Sequence, residues 1–201
     1  MDRIELDAIV TRYDLNQHSF YRAWRAGTLP REALAAYAAD YAPFIASIEA
    51  GWRALGDVDH AIVEGQHAEL WGRFRAAVGA STLPGCYEAR ALVREAESCF
   101  SNRVEAIGSL HAFEAQQPST ARSKLDGLRE HYALADEYTE YFRVHADDYG
   151  ERDRLCALAF DLSQEEHFRA AAACERTCQA MWGALDGVMA SFPEARAAVA
   201  S

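Results

Sequence analysis

The chain is almost without lysine. Of its 20 lysine and arginine residues, 19 are arginine, and the exception is Lys124. Charge alone would be served as well by arginine. What arginine cannot do is lose its proton and act as an amine, because its pKa is too high. Lys124 is therefore a candidate for amine chemistry, with chance placement as the plain alternative. Other absences narrow the field. No run of ~18 apolar residues occurs, so no membrane-spanning helix is expected. The first seven residues, Met1 to Asp7, lack the basic-then-apolar order of a signal peptide, and a cytoplasmic location is the expectation. Basic excess is missing too: the formal charge of −11 argues against a nucleic-acid partner, because phosphate binding needs a basic surface. No CxxC pair is present among the five cysteines, Cys86, Cys99, Cys156, Cys174 and Cys178. They read as apolar thiols of a reducing compartment.

Clusters of Val, Ile and Thr bounded by turns are also lacking, and the pattern is helical throughout. Half the residues are hydrophobic, enough for a substantial core in one domain spanning residues 1–201. Arg31 to Arg53 follows Pro30 and places Leu34, Tyr37, Tyr41, Phe44, Ile45 and Ile48 at three- and four-residue spacing. Asp57 to Val78 reads as a second long helix, ended by Gly79. A turn at Leu83-Pro84-Gly85 precedes a third, running to about Phe113. Pro118 opens a fourth, to about Tyr132. Asp136 to Asp148 and Glu151 to Leu162 follow. Ser163 and Glu166 have the spacing of a capping box and start the last helix, to about Phe192. A shorter segment, Leu6 to Ala26, leads the chain. The sequence predicts one compact all-α bundle of seven to eight helices.

Four places could carry chemistry. His60, Glu64 and His67 are spaced four and three apart, so they share one helical face. Glu114 lies in an apolar helix. His145 and Asp148 share a face. Lys124 is the fourth. Inward Glu and His from different helices are the usual way a bundle holds iron or manganese. Solvated surface residues are the plain alternative for each, and core aromatics the plain alternative for Tyr21, Tyr37, Tyr41 and Tyr141.

Several segments in order carry a resemblance. They are His18-Ser-Phe-Tyr21-Arg-Ala-Trp24 with Tyr37 and Tyr41, His67-Ala-Glu-Leu-Trp71, Phe113-Glu114-Ala-Gln-Gln-Pro118 with Lys124-x-x-Gly127-Leu128, Tyr141-Phe142-x-x-His145, and Trp182-Gly183-x-Leu185-Asp186. Together they resemble the haem-oxygenase-like oxidases, which include the PqqC/TenA-like proteins and the CADD-type para-aminobenzoate synthases. The resemblance spans nearly the whole chain. It implies a haem-oxygenase-like bundle that binds two irons, or iron with manganese, and uses dioxygen on a small-molecule substrate in a biosynthetic pathway. It places His67, Glu114 and His145 at metal-ligand positions. It places Tyr21, Lys124 and Tyr141 at tyrosine and lysine positions of the synthase subgroup, where the protein is thought to consume its own tyrosine with a lysine as amino donor. A homodimer is expected on the same ground.

The chain also departs from that pattern. The family glutamate seven residues before the first ligand histidine is His60 here, although Glu64 fits members that use a glutamate three before. The family's His-x3-Asp-x2-His ends in Tyr149 and Arg152, and Arg152 is expected to bring positive charge towards the metals. Three arrangements follow. One metal is held by His60, His67, Glu114 and His145; or two metals are held with Glu64 and Asp148 supplying carboxylates; or no metal binds, as in the PqqC branch. A non-catalytic scaffold with a dismantled site is the competing class. The reading adopted is a metal-dependent, dioxygen-using oxidase with Fe or Mn, in which Lys124 is nucleophile or amino donor and Tyr21 and Tyr141 line the cavity.

Overall fold

The structure is a computed structural model and describes residues 6–82 and 85–198. The turn expected at Leu83-Pro84-Gly85 involves residues 83 and 84, which lie outside the described ones. Every regular element among the described residues is helical. The helices are α1 (Leu6–Arg12), α2 (Ser19–Arg25), α3 (Arg31–Ala54), α4 (Val58–Ala77), α5 (Tyr87–Phe100), α6 (Arg103–Glu114), α7 (Gln117–Gly127), α8 (Glu140–His145), α9 (Gly150–Phe160), α10 (Gln164–Ala190) and α11 (Pro193–Ala197). None is long and apolar enough to cross a membrane.

The long helices form as their periodicity predicts. In α3 the residues Leu34, Tyr37, Tyr41, Phe44, Ile45 and Ile48 are all buried. Ser163 and Glu166 form the capping box at the start of α10. Three expected helices are broken instead, and the one over Asp136 to Asp148 is reduced to a short turn at Asp136–Tyr138 followed by α8, which ends at His145. The leading segment divides into α1, a short turn at Leu15–Gln17 and α2, because Asp14 and His18 each turn a side chain back onto a backbone N–H as a cap. The third expected helix divides into α5 and α6 at Asn102. Its backbone is extended, and its side-chain oxygen accepts from the N–H groups of Val104 and Glu105. Asn competes with the helix for its own backbone groups, so it favours this kind of restart.

Helix α10 runs through the bundle against α1, α3, α5 and α6. Its approach to α6 is close because the facing residues are small. A Cβ at Gly108 would meet the Ala170 carbonyl oxygen at 1.8 Å. Beside it, Thr177 and Ser109 join hydroxyls at 2.9 Å. Cys174 and Cys178 are buried in α10 as free thiols. This packing holds α6, which ends at Glu114, and α6 also lies against α3 and α9.

Candidate metal centre

Glu64 and His67 lie one turn apart on α4, and His145 ends α8. One ligand atom from each of these three lies within 4.8 Å of the others. The His67 and His145 rings are 4.3 Å apart. His145 Nδ1 is 2.6 Å from the Tyr141 carbonyl oxygen. A carbonyl can only accept, so Nδ1 carries the proton and Nε2 keeps its lone pair. That Nε2 is buried and without a protein partner. Burial, with the neighbouring His67, pulls the His145 pKa down to about 4, so the ring is neutral and ligand-ready at pH 7. His67 Nδ1 lies 2.9 Å from Glu64 Oε1. Burial works to lower the His67 pKa, but Glu64, Glu151 and Asp148 outweigh it and raise it.

Glu114, at the end of α6, is buried, and neither carboxyl oxygen has a hydrogen-bond partner. Burial, then the charges of Glu151 and Glu64, raise its pKa well above the usual carboxylate range, with the Trp52 indole acting weakly in the opposite sense. An orphaned buried carboxyl costs several kcal/mol unless something compensates it. A divalent cation is such a compensator. Two orphaned ligand groups beside a Glu–His pair fit a metal of the iron or manganese class, whose ligands are imidazole and carboxylate.

The other expected ligands do not join the three converging ligand atoms, although the charge of Asp148 still reaches His67 and Glu114. His60 stacks on Trp52 at 4.5 Å and meets Asp57 at 2.8 Å, so the residue that caps α4 holds the ring away from the group. Asp148 is exposed, and its Oδ1 accepts from Gly150 N–H at 2.9 Å in the turn that leads into α9. Arg152 does not approach the centre. It pairs with Asp7 of α1, which also meets His111 at 2.9 Å. One residue was not singled out from the sequence: Glu151, in the first turn of α9, faces Glu64. Burial and that neighbour push it up to about 7.

Tyr141 connects the centre to a second group of polar residues. Its ring is 4.4 Å from His145 and 4.8 Å from Trp71, and its hydroxyl accepts from Gln117 Nε2 at 2.6 Å. Across a cavity of about 10 Å³ from Tyr141 lies Lys124. Lys124 is buried on α7, and its amine donates to the hydroxyls of Tyr21 and Tyr37, each at 3.4 Å. Those hydroxyls are 3.0 Å from each other. Desolvation lowers the Lys124 pKa from 10.5 to about 7, so the neutral amine is within reach at neutral pH. Tyr37, whose spacing on α3 marked only a core position, joins Tyr21 and Lys124 in one contiguous group.

Comparison with known proteins bears on this arrangement. Residues 46–186 match the family described as "Iron-containing redox enzyme". The chain is 30% identical to a 4-aminobenzoate synthase of Nitrosomonas europaea over 94% of its own length and 91% of that protein's. It is 26% identical to a 4-aminobenzoate synthase of Chlamydia muridarum, covering 92% and 89% of the two chains. In fold it is similar to a domain of unknown function with a haem-oxygenase-like fold from Shewanella denitrificans. The TM-score is 0.80 at 15% identity, over 96% of this chain and 95% of that one.

Proposed function

Since the chain belongs to the iron-containing redox enzyme family and is an oxidoreductase with a haem-oxygenase-like fold, we propose that it is a metal-dependent oxidase acting on its own cavity wall. Dioxygen is the oxidant. A tyrosine supplies the ring and Lys124 the nitrogen of a 4-aminobenzoate-type product. The observation that carries this reading is the cavity: it holds about 10 Å³ and is walled by tyrosines and the sole lysine. A cavity of that size admits about one water-sized molecule. An aromatic acid does not fit, so the ring of the product is drawn from the wall.

Glu64, His67, Glu114 and His145 would hold the metal. A bound iron or manganese supplies one-electron redox chemistry and a place for dioxygen to react. The chain's own residues do the rest. His145, fixed by the Tyr141 carbonyl, offers one nitrogen without having to lose a proton. Gln117 holds the Tyr141 phenol beside the centre. Lys124, at about 7, is neutral often enough to act as a nucleophile, and its two hydrogen bonds aim the nitrogen at the Tyr21 and Tyr37 hydroxyl ends. Those are the ends where, once dioxygen has oxidised the ring, the C–O bond breaks with the oxygen leaving as water and the amine nitrogen enters. The Lys124 Cε–Nζ bond then breaks by hydrolysis of the imine, leaving an aldehyde on Cε, and the tyrosine Cα–Cβ bond is cleaved by dioxygen. The tyrosine Cβ supplies the carbon that is oxidised to the carboxyl group. The aromatic packing around them, including Trp24, Trp71 and Phe142, keeps bulk water out.

The test is the protein loaded anaerobically with Fe(II) or Mn(II), then exposed to dioxygen and a reductant. Intact mass and released 4-aminobenzoate are measured. Wild type is expected to release less than one product per chain and to lose mass, while Lys124→Arg releases none although it keeps its charge. Product formation in Lys124→Arg, or repeated turnover without mass change, sinks the reading. Binding of metal should vanish in the His67→Ala/His145→Ala double variant.

A further inference from the structure

We propose a second cation site in this chain, separate from the Glu64–His67–His145 group, in which Asp7 of α1, His111 of α6 and Cys156 of α9 bind a divalent ion of the zinc class. The proposal does not depend on the oxidase reading, because none of its three residues belongs to that centre.

One ligand atom from each of the three residues lies within 4.8 Å of the others. An ion bound at ~2.0–2.3 Å draws such atoms together with a small shift of side chains. His111 Nε2 already meets Asp7 Oδ1 at 2.9 Å. Helix α6 packs against both α1 and α9, so the fold, and not closeness in sequence, assembles the group. His111 is fully buried, whereas Asp7 is 42% exposed and Cys156 is half-buried. The imidazole thus forms the floor of the site, and the carboxylate and thiol form the side that opens to solvent.

A carboxylate only accepts, so Nε2 carries the ring proton in the Asp7 contact. For Nε2 to bind an ion, that proton must move to Nδ1. Nδ1 is buried and has no partner, so no hydrogen bond breaks for the move. Arg152 stands one turn before Cys156 on α9 and shares its face. It donates through Nη2 to Asp7 Oδ2 and, at 3.4 Å, through Nε to Oδ1. The Oδ2 contact anchors the carboxylate, and an ion at Oδ1 displaces only the longer one. The guanidinium charge opposes a cation, but an ionised Asp7 and a Cys156 thiolate set two negative charges against it.

The thiol decides the class of ion. Binding releases the Cys156 proton, and a thiolate beside an imidazole and one carboxylate selects Zn(II), or Co(II) as its coloured substitute. Mn(II) and Mg(II) prefer oxygen ligands. The fourth position falls to water, on the open side. An ion held there fastens the first turn of α1 to α6 and α9.

The experiment is an anaerobic titration of the full chain with Co(II) in a thiol-free reductant. It is followed in the near ultraviolet, where a thiolate-to-cobalt charge-transfer band appears only if sulfur is bound. The wild type is expected to develop the band and to lose it when Zn(II) is added, while Mn(II) leaves it unchanged. Cys156→Ser should lack the band, and Asp7→Asn should need at least about tenfold more Co(II) to reach it. Circular dichroism checks the fold of each variant. The His67→Ala/His145→Ala variant, whose own centre offers no sulfur, should keep the band. No band in the wild type overturns the proposal. An unchanged titration in folded Cys156→Ser or Asp7→Asn does so too, as does loss of the band in the double histidine variant. Failure to release 4-aminobenzoate sinks the oxidase reading alone.

Discussion

A lysine amine with no acidic partner, set among aromatic rings, is an unstable element in any fold. Lys124 lies over the Tyr21 ring at 5.0 Å and the Phe142 ring at 5.3 Å, contacts that only partly replace lost hydration. Its pKa is about 7 in the fold against 10.5 in the unfolded chain. Between those values the unfolded state binds more protons than the folded one, so stability rises with pH across that window. Below about pH 7 both states are protonated and the full penalty for the buried charge applies. Lys124→Met is therefore expected to stabilise the protein at pH 6–7, by roughly 2–5 kcal/mol, and to flatten the rise between pH 7 and 10. Chemical denaturation at a series of pH values measures both. Gln117 is a simpler case. Truncation to Ala leaves the buried Tyr141 hydroxyl without its donor, a loss of about 1–3 kcal/mol. Product yield should fall with it, since the Tyr141 ring is then free to rotate away from His145.

At the scale of helices, Gly108 is the most demanding position. An added Cβ would collide with the Ala170 backbone rather than with a flexible side chain. Gly108→Ala must part α6 from α10, costing about 3 kcal/mol or more, and a thermal melt reads it. The same scale shows what could be read in advance. The face of α3, the capping box at Ser163 and the inward direction of Glu64 and His67 were legible, because spacing alone fixes direction within an uninterrupted helix. Glu114, His145 and Lys124 were legible through the matched motifs rather than through periodicity. The outward turn of His60 was not. His60 keeps helical phase with Glu64, yet Asp57 and Trp52 take its ring, a tertiary competition that spacing cannot express. The end of α8 at His145 is followed by a left-handed residue at Asp147, where the chain offers no glycine to announce it. Counting four and seven residues on from His145 presumed a helix that is not there.

For the molecule as a whole, the proposed metal centre would draw on α4, α6 and α8, so a bound ion should act as a cross-brace. At about 100-fold excess over its Kd, a ligand specific to the folded state contributes about 2.7 kcal/mol. In a domain of this size that corresponds to a rise in Tm of roughly 5–10 °C. Differential scanning calorimetry with and without Mn(II) should show it, and the His67→Ala/His145→Ala variant should not respond. The remaining consequence concerns the exterior. Because the one lysine is enclosed, with 4% of its surface accessible, the folded protein presents no side-chain amine to solvent. Labels, acyl donors and conjugating enzymes that act on a lysine side chain have no lysine on the outside to modify. Labelling at Lys124 then becomes a clock for the opening of the bundle. A digest that cuts only after lysine cleaves the intact chain once, and loss of that single cut records every molecule whose lysine has been altered.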